Sequence, residues 1–303
     1  MNPKEQSQGS NTGFAIASIV IAVLLLSLSD AIIKMTGLSL PIWQMYILRS
    51  GLALPFLLVI LVFRRPLIIG SVFWVSIRSL TLVVMWLLYY LALPTMPLSF
   101  AAAAYYTAPI FIVVLSALIA QKFPSARIWS AIFVGFIGVL VILRPETSEF
   151  QLVTLLPILA AILYAAAMVI TSLKCRDSDP IVLVVALNIA LVLGGTVLAI
   201  WSGKEGSFLF GPWATLNAKL MIIIAILTAT GVIGSVGAAI AYQKGPPTTI
   251  AAFDYSYLVF SAMWGVLFFA EALNWLAIVG ILAIVMGGLL ALPIRPKALN
   301  SSV

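Results

Sequence analysis

The chain has 303 residues, 63% of them apolar and only 8% charged, where a soluble globular chain carries roughly 25% charge. That composition cannot clothe a water-soluble surface, so lipid must be the solvent for most of it. The net charge of +7 therefore speaks for loop placement rather than for nucleic acid; the single cysteine, Cys175, excludes an internal disulfide, and the absence of histidine removes the Cys/His zinc patterns.

A hydrocarbon core about 30 Å thick takes about 20 apolar residues at helical rise. Runs of that length, bounded by Pro, Gly or charge, predict an all-α membrane protein of ten transmembrane helices, at 14–36, 41–63, 74–93, 97–120, 126–143, 151–173, 180–201, 218–241, 248–270 and 274–292. The first run follows a polar leader whose cation is Lys4 and shows no A-x-A cleavage pattern, so it is expected to be a retained helix and not a signal peptide.

Span one carries Asp30 and Lys34, four residues apart and hence on one helical face, with the acid on the N-terminal side as a favourable pair prefers. A charge in a membrane helix is costly and is usually turned toward protein or a water-filled cavity, which makes both residues candidates for a substrate or coupling-ion site. The same spacing also suits a pair at the interface, with Lys34 reaching the headgroups and Asp30 neutralising it. In span two, Arg49 ends a polar and aromatic run that includes Gln44. Its guanidinium cannot lose its proton and must be paired or hydrated where it stands. Asp30 is the natural partner. In span three, Arg78 is expected at the cytoplasmic mouth, and Tyr90 joins the candidate substrate contacts.

Span four contains Tyr105 and Tyr106 ahead of Pro109, which removes a backbone hydrogen bond and predicts a kink beside a pocket. Gly231, Gly234 and Gly237 in span eight sit in an apolar run without a following Lys-Ser or Lys-Thr, so they predict close helix packing and not a phosphate loop. Span nine holds Asp254 between Phe253 and Tyr255, with Tyr257 and Trp264 further along. Aromatics beside a carboxylate suit a pocket that stacks a planar or cationic group. The alternative is an acid solvated at the inner interface near Lys244, with Tyr255 and Tyr257 in an aromatic belt. Glu271 closes the span.

Basic residues set the orientation. With the N-terminus inside, Lys4, Arg64, Arg65, Lys122, Arg127, Lys174, Arg176, Lys244, Arg295 and Lys297 fall on the inner side, against Arg144, Lys204 and Lys219 outside. Both termini are thus expected in the cytoplasm. Shifting the sequence on itself by 150 residues superposes Pro97 on Pro247, Ala101 on Ala251, Tyr105 on Tyr255 and Gly138 on Gly288. Five helices per half is an odd number, so the halves enter the membrane from opposite sides. Two inverted five-helix repeats, 14–145 and 151–293, are the expected plan, with tails at 1–13 and 294–303. Such repeats bind substrate near the midplane where the halves meet.

Several segments resemble the ten-helix branch of the drug/metabolite transporter superfamily, whose five-helix halves are EamA domains. They are Arg78 with the run Tyr89-Tyr90-Leu91-Ala92-Leu93-Pro94, then Tyr106-Thr107-Ala108-Pro109, then Gly135 to Gly138 closing on Leu143-Arg144-Pro145, and in the second half Phe253 to Leu258 with Phe269-Ala270-Glu271. Gln121-Lys122 departs from the family, where many relatives have a glutamate. The resemblance covers nearly the whole chain and implies an electrochemical carrier in the bacterial inner membrane. It implies a small metabolite as substrate (amino acid, vitamin or nucleotide-related), with members carrying S-adenosylmethionine or riboflavin the most similar in the second half, and H+ or Na+ as coupling ion. No cofactor and no metal are expected. The chain has no H-E-x-x-H, G-x-S-x-G or Walker motif, so an enzyme is not expected. The competing class is a membrane receptor or scaffold that binds a small ligand without moving it.

Overall fold

The structure, a computed structural model, describes residues 3–35, 40–63, 68–92, 98–121, 123–143, 153, 155–203, 208–270 and 275–292, leaving aside the side chains of 3–11, 34, 98–100, 103 and 143. Expectations placed on the Lys34 side chain, on residues 93–97, on Arg144 and on Glu271 lie outside the described residues.

Within them the regular elements are helices: α1 (Pro3–Met35), α2 (Ile42–Phe63), α3 (Val72–Ala92), α4 (Leu98–Tyr105), α5 (Ala108–Ala120), α6 (Ala126–Leu143), α7 (Leu155–Leu173), α8 (Pro180–Ala199), α9 (Ala218–Lys244), α10 (Pro247–Asp254), α11 (Ser256–Phe269) and α12 (Trp275–Ala291). Seven stretches are long and apolar enough to cross a membrane, and three shorter apolar helices, Ala108–Ala120, Ala126–Ile142 and Trp275–Ala291, complete ten. Helix is the only open-chain solution in lipid, because every backbone N–H and C=O must find its partner within the segment. α1 runs on through the polar leader to Pro3, further than the span read from hydropathy.

The departure from ten continuous helices is at the fourth and ninth spans, each cut near its middle into two pieces. In the fourth the helix stops at Tyr105 and restarts at Ala108, with Pro109 in the new first turn. Pro109 has no N–H to continue the ladder, and the Thr107 hydroxyl donates to the Ala104 carbonyl at 2.6 Å. The ninth span repeats the device without a proline: Ser256 Oγ donates to the Phe253 carbonyl at 2.6 Å beside the turn at Tyr255. Both spans also end alike, on a non-glycine residue with left-handed backbone, Gln121 at φ 50° and Ala270 at φ 52°.

The halves are related by inversion. Equivalent helices run antiparallel: in α2 and α8, Gly195 lies against Trp43 and Tyr46, while Ala53 and Leu57 cluster with Ile181, Val184 and Val185. In α6 and α12, Gly138 meets Gly280 and Gly287 meets Ala131. The remaining neighbours exchange in pairs, α1 with α9 matching α7 with α3, and α1 with α10 and α11 matching α7 with α4 and α5. Lipid gives helices no hydrophobic reason to associate, so small residues that permit close backbone approach set these seams. Gly234 and Gly237 serve α1 in this way, facing the Ala22 and Ser18 carbonyls.

A polar belt closes the end where α2, α7 and α9 finish. Arg78, 2% exposed, donates from Nε to Thr171 Oγ1 at 3.1 Å and from Nη1 to the Leu183 carbonyl at 3.2 Å, joining α3, α7 and α8. Arg78 is therefore a buried tie, not an interfacial charge at the mouth. Gln243 Nε2 donates to the Cys175 and Ser178 carbonyls, fastening α9 to the turn between α7 and α8. Burial pushes the Cys175 thiol above its usual range, with Arg78 pulling the other way.

Candidate functional site

Asp30 sits near the end of α1, within an apolar helix, yet its side chain is exposed. The groups that feel its charge come from four other helices and the break in the fourth span: Arg49 of α2, Tyr89 and Tyr90 of α3, Tyr105 of α4 with Tyr106 just past its end, and Tyr257 of α11. An acid with neighbours from so many helices and an exposed side chain is a candidate for the protein-lined, hydrated interior, because a bare charge against lipid is costly. Tyr257 donates its hydroxyl to Asp30 Oδ2. Arg49 is within electrostatic reach of Asp30, and its guanidinium lies 5.6 Å from the centroid of the Trp86 ring. Gly231 of α9 makes room for it: a Cβ there would collide with the guanidinium. Beside Arg49 is a narrow crevice lined by Trp86, Asn188, Thr228 and Ser235.

A continuous tyrosine wall runs from this tier into the bundle. Ring centroids are 5.6 Å apart for Tyr257 and Tyr106, 5.7 Å for Tyr106 and Tyr105, and 5.9 Å for Tyr105 and Tyr164. A branch rises through Tyr89, 5.1 Å from Tyr105, to Tyr90 and Phe208. Offset and edge-on contacts of this kind are each favourable, and they present flat π faces to whatever occupies the space between them. At the far end lies Asp254, the last residue of α10 and 6% exposed. Its Oδ2 accepts from Tyr242 of α9 and from Tyr164 of α7 at 3.3 Å, while Oδ1 is buried with no hydrogen-bond partner.

The structure thus brings together Asp30, Arg49, Tyr90, Tyr105, Tyr106 and Tyr257, with Asp254 beneath them. Trp264 borders the same tier, its indole N–H donating to Ser27 Oγ at 3.1 Å one turn below Asp30. Gln44 is elsewhere: both ends of its amide bond the backbone of Ala214, at 2.9 and 2.8 Å, pinning the 208–217 loop on the start of α2. Trp43 and Ile42 add bonds to Gly211 and Phe208. Tyr255 turns away from the tyrosine wall, fully buried with its ring on Gly135 of α6. Tyr164, Tyr242, Trp86 and Tyr89 escaped the sequence reading. Tyr164 and Tyr242 each sit in an alanine-rich stretch of a different span, and no spacing along the chain ties either of them to Asp254.

The sequence matches the model of the EamA-like transporter family twice, over residues 13–144 and 151–292. The pseudopaline exporter CntI of Pseudomonas aeruginosa (strain UCBPP-PA14) is 26% identical over 273 residues, 88% of this chain and 92% of that one. The riboflavin transporter of Brucella anthropi is 28% identical over 182 residues, 60% of this chain and 62% of that one. One solved crystal structure superposes with a TM-score of 0.76 at 17% identity, over 93% of this chain and 96% of the other, a likeness of fold alone.

Proposed function

We propose, on the premise that the chain belongs to the EamA-like transporter family, that it is a secondary-active carrier of a small polar organic metabolite, bound between the two repeats. The observation that carries this reading is Asp30: a carboxylate open to solvent and surrounded by side chains from α2, α3, α4 and α11. Such a group can accept from an ammonium or another donor on the ligand, while Tyr90, Tyr105 and Tyr106 stack its planar part and Arg49 balances an acidic part. Amino-acid-like, vitamin and nucleotide-related molecules have this chemistry. Proteins named for pseudopaline and riboflavin are among the relatives, which supports that class.

The build supports alternating access. The fourth and ninth spans are cut at equivalent depths, and discontinuous helices at the repeat interface are where carriers of this plan hold substrate and bend. The two repeats, 14–145 and 151–293, would rock against each other around the tyrosine wall. The basic-loop bias supports both tails, 1–13 and 294–303, on the cytoplasmic side of a bacterial inner membrane.

A thermal-shift screen of the purified chain against amino acids, vitamins and nucleotides tests the site. A ligand that raises the melting temperature of the wild type but not of Asp30→Asn is the expected result; equal stabilisation of both would sink the assignment. Orientation is tested separately with single cysteines at Ser125 and Ser148 in a Cys175→Ser background. Labelling at 148 from outside the cell, with 125 protected, is expected, and the reverse would overturn it.

A further inference from the structure

We propose that Asp254 is a dedicated proton-binding site, with the proton on Oδ1, separate from the ligand carboxylate Asp30. The hydrogen-bond pattern is the basis. Both tyrosine hydroxyls that reach Asp254 donate to the same oxygen, Oδ2, while Oδ1 is buried without a donor. An ionised carboxylate spreads its charge over two oxygens and needs donors at both when water is excluded. A neutral acid needs donors at one oxygen only, because the other carries the O–H, which calls for an acceptor and not a donor.

The surroundings agree. Asp254 is faced by Tyr164 from α7, Tyr242 from α9, Tyr105 from α4 and its neighbour Tyr255. Among the described residues of the other packed elements, α1, α5, α6 and α12, no charged group acts on it. The buried guanidinium of Arg78 is engaged by Thr171 and Leu183. A carboxylate this deep, with no cation beside it, would carry a desolvation cost of several kcal/mol with nothing to offset it.

Position gives the proton a use. Asp254 is the last residue of α10 and Tyr257 the second of α11, so the two groups stand on either side of the turn at Tyr255. Tyr257 holds Asp30, where a ligand arrives. A proton gained or lost at Asp254 changes how tightly Tyr164 and Tyr242 hold the end of α10, and the turn carries that change to Tyr257. Proton and ligand would therefore be linked through one three-residue joint, with the proton leaving to water when that joint opens. This use, though not the protonation itself, rests on the transporter reading above.

Infrared spectroscopy of the purified full chain in nanodiscs, titrated from acidic to alkaline pH in sodium-free buffer, tests the site without any ligand. The wild type should show the C=O stretch of one neutral carboxyl at neutral pH, moving to lower frequency in D2O and disappearing at high pH. Asp254→Asn should lack it, Asp30→Asn should keep it, and Tyr242→Phe should shift its frequency by removing a donor to Oδ2. Retention of the band in Asp254→Asn, absence of the band from the wild type at neutral pH, or its loss on adding sodium chloride at fixed pH would each overturn the proposal. A permanently neutral, merely structural carboxyl would show the band but keep it at high pH. Because Asp30→Asn is judged by ligand stabilisation and Asp254 by this band, the two readings can fail independently.

Discussion

Asp30 and Asp254 are the same residue type, each held by tyrosine hydroxyls, and they stand at opposite ends of one aromatic wall. One is exposed and bonded once; the other is 6% exposed and bonded twice on a single oxygen. What separates them is access to water. A hydrated carboxylate can exchange a tyrosine for a ligand group at little cost, because water satisfies it in between. A buried one cannot, since every donor removed is a donor unreplaced. The outer acid is suited to ligand groups that come and go, the inner one to exchanging a proton while its tyrosine donors stay in place.

That contrast is broken most severely by Asp254→Leu. It strands the buried hydroxyl of Tyr242 and the part-buried one of Tyr164, each worth up to about 1–3 kcal/mol when unsatisfied, so a loss of about 2–5 kcal/mol is expected, with Asp254→Asn close to wild type. Thermal unfolding in detergent measures it, and a drop of similar size in Asp30→Leu would erase the distinction. Next in size is Asp30→Asn. Losing a charge-assisted contact of about 1.5–3 kcal/mol should reduce exchange of an identified ligand in proteoliposomes by about 10- to 100-fold, while unfolding stays near wild type. Smaller again is the pair Tyr242→Phe and Tyr257→Phe: the buried tyrosine should lose about 1 kcal/mol and the partly buried one, bonded to an exposed acid, a few tenths. Identical melting shifts would mean that water does not reach Asp30. Least disruptive is labelling of Cys175. Its thiol is buried and its ionisation pushed up by that burial, so a maleimide should leave the native chain unmodified and react only as the chain unfolds. Rapid labelling below the melting transition would show that the polar belt at Gln243 opens.

Much of the architecture was legible along the chain because lipid imposes it. Ten apolar runs, the positions of spans four and nine, and the inverted plan all follow from lengths that must match one hydrocarbon thickness and from a count of five per half. Two of the three glycines of span eight, Gly234 and Gly237, pack close against α1 as expected, while Gly231 makes room for the Arg49 guanidinium. The break in span four was half visible through Pro109. Its counterpart at Tyr255 was not, since no proline marks it and the Ser256 bond to Phe253 is a local choice among many that serine can make.

Side-chain roles were less legible where they depend on another helix. Arg78 reads as an interfacial cation by distance from the span's end, but Thr171 and the Leu183 carbonyl, 93 and 105 residues away, take it into the interior. Gln44 reads as a pocket residue by its aromatic company, yet Ala214 engages its whole amide. Tyr242 and Tyr164 carried no signal of their own.

The sequence by itself determined that this is a polytopic helical membrane protein built twice over with opposite orientation, because composition, span length and charge asymmetry are properties of the chain as a string in a fixed solvent. Only the tertiary structure decided which of its two helix-borne aspartates is exposed and which is buried. That depends on which faces of α1, α4, α7, α9 and α11 converge, and convergence is set by glycine seams and cross-helix hydrogen bonds between residues far apart in sequence, whose partners no local pattern names.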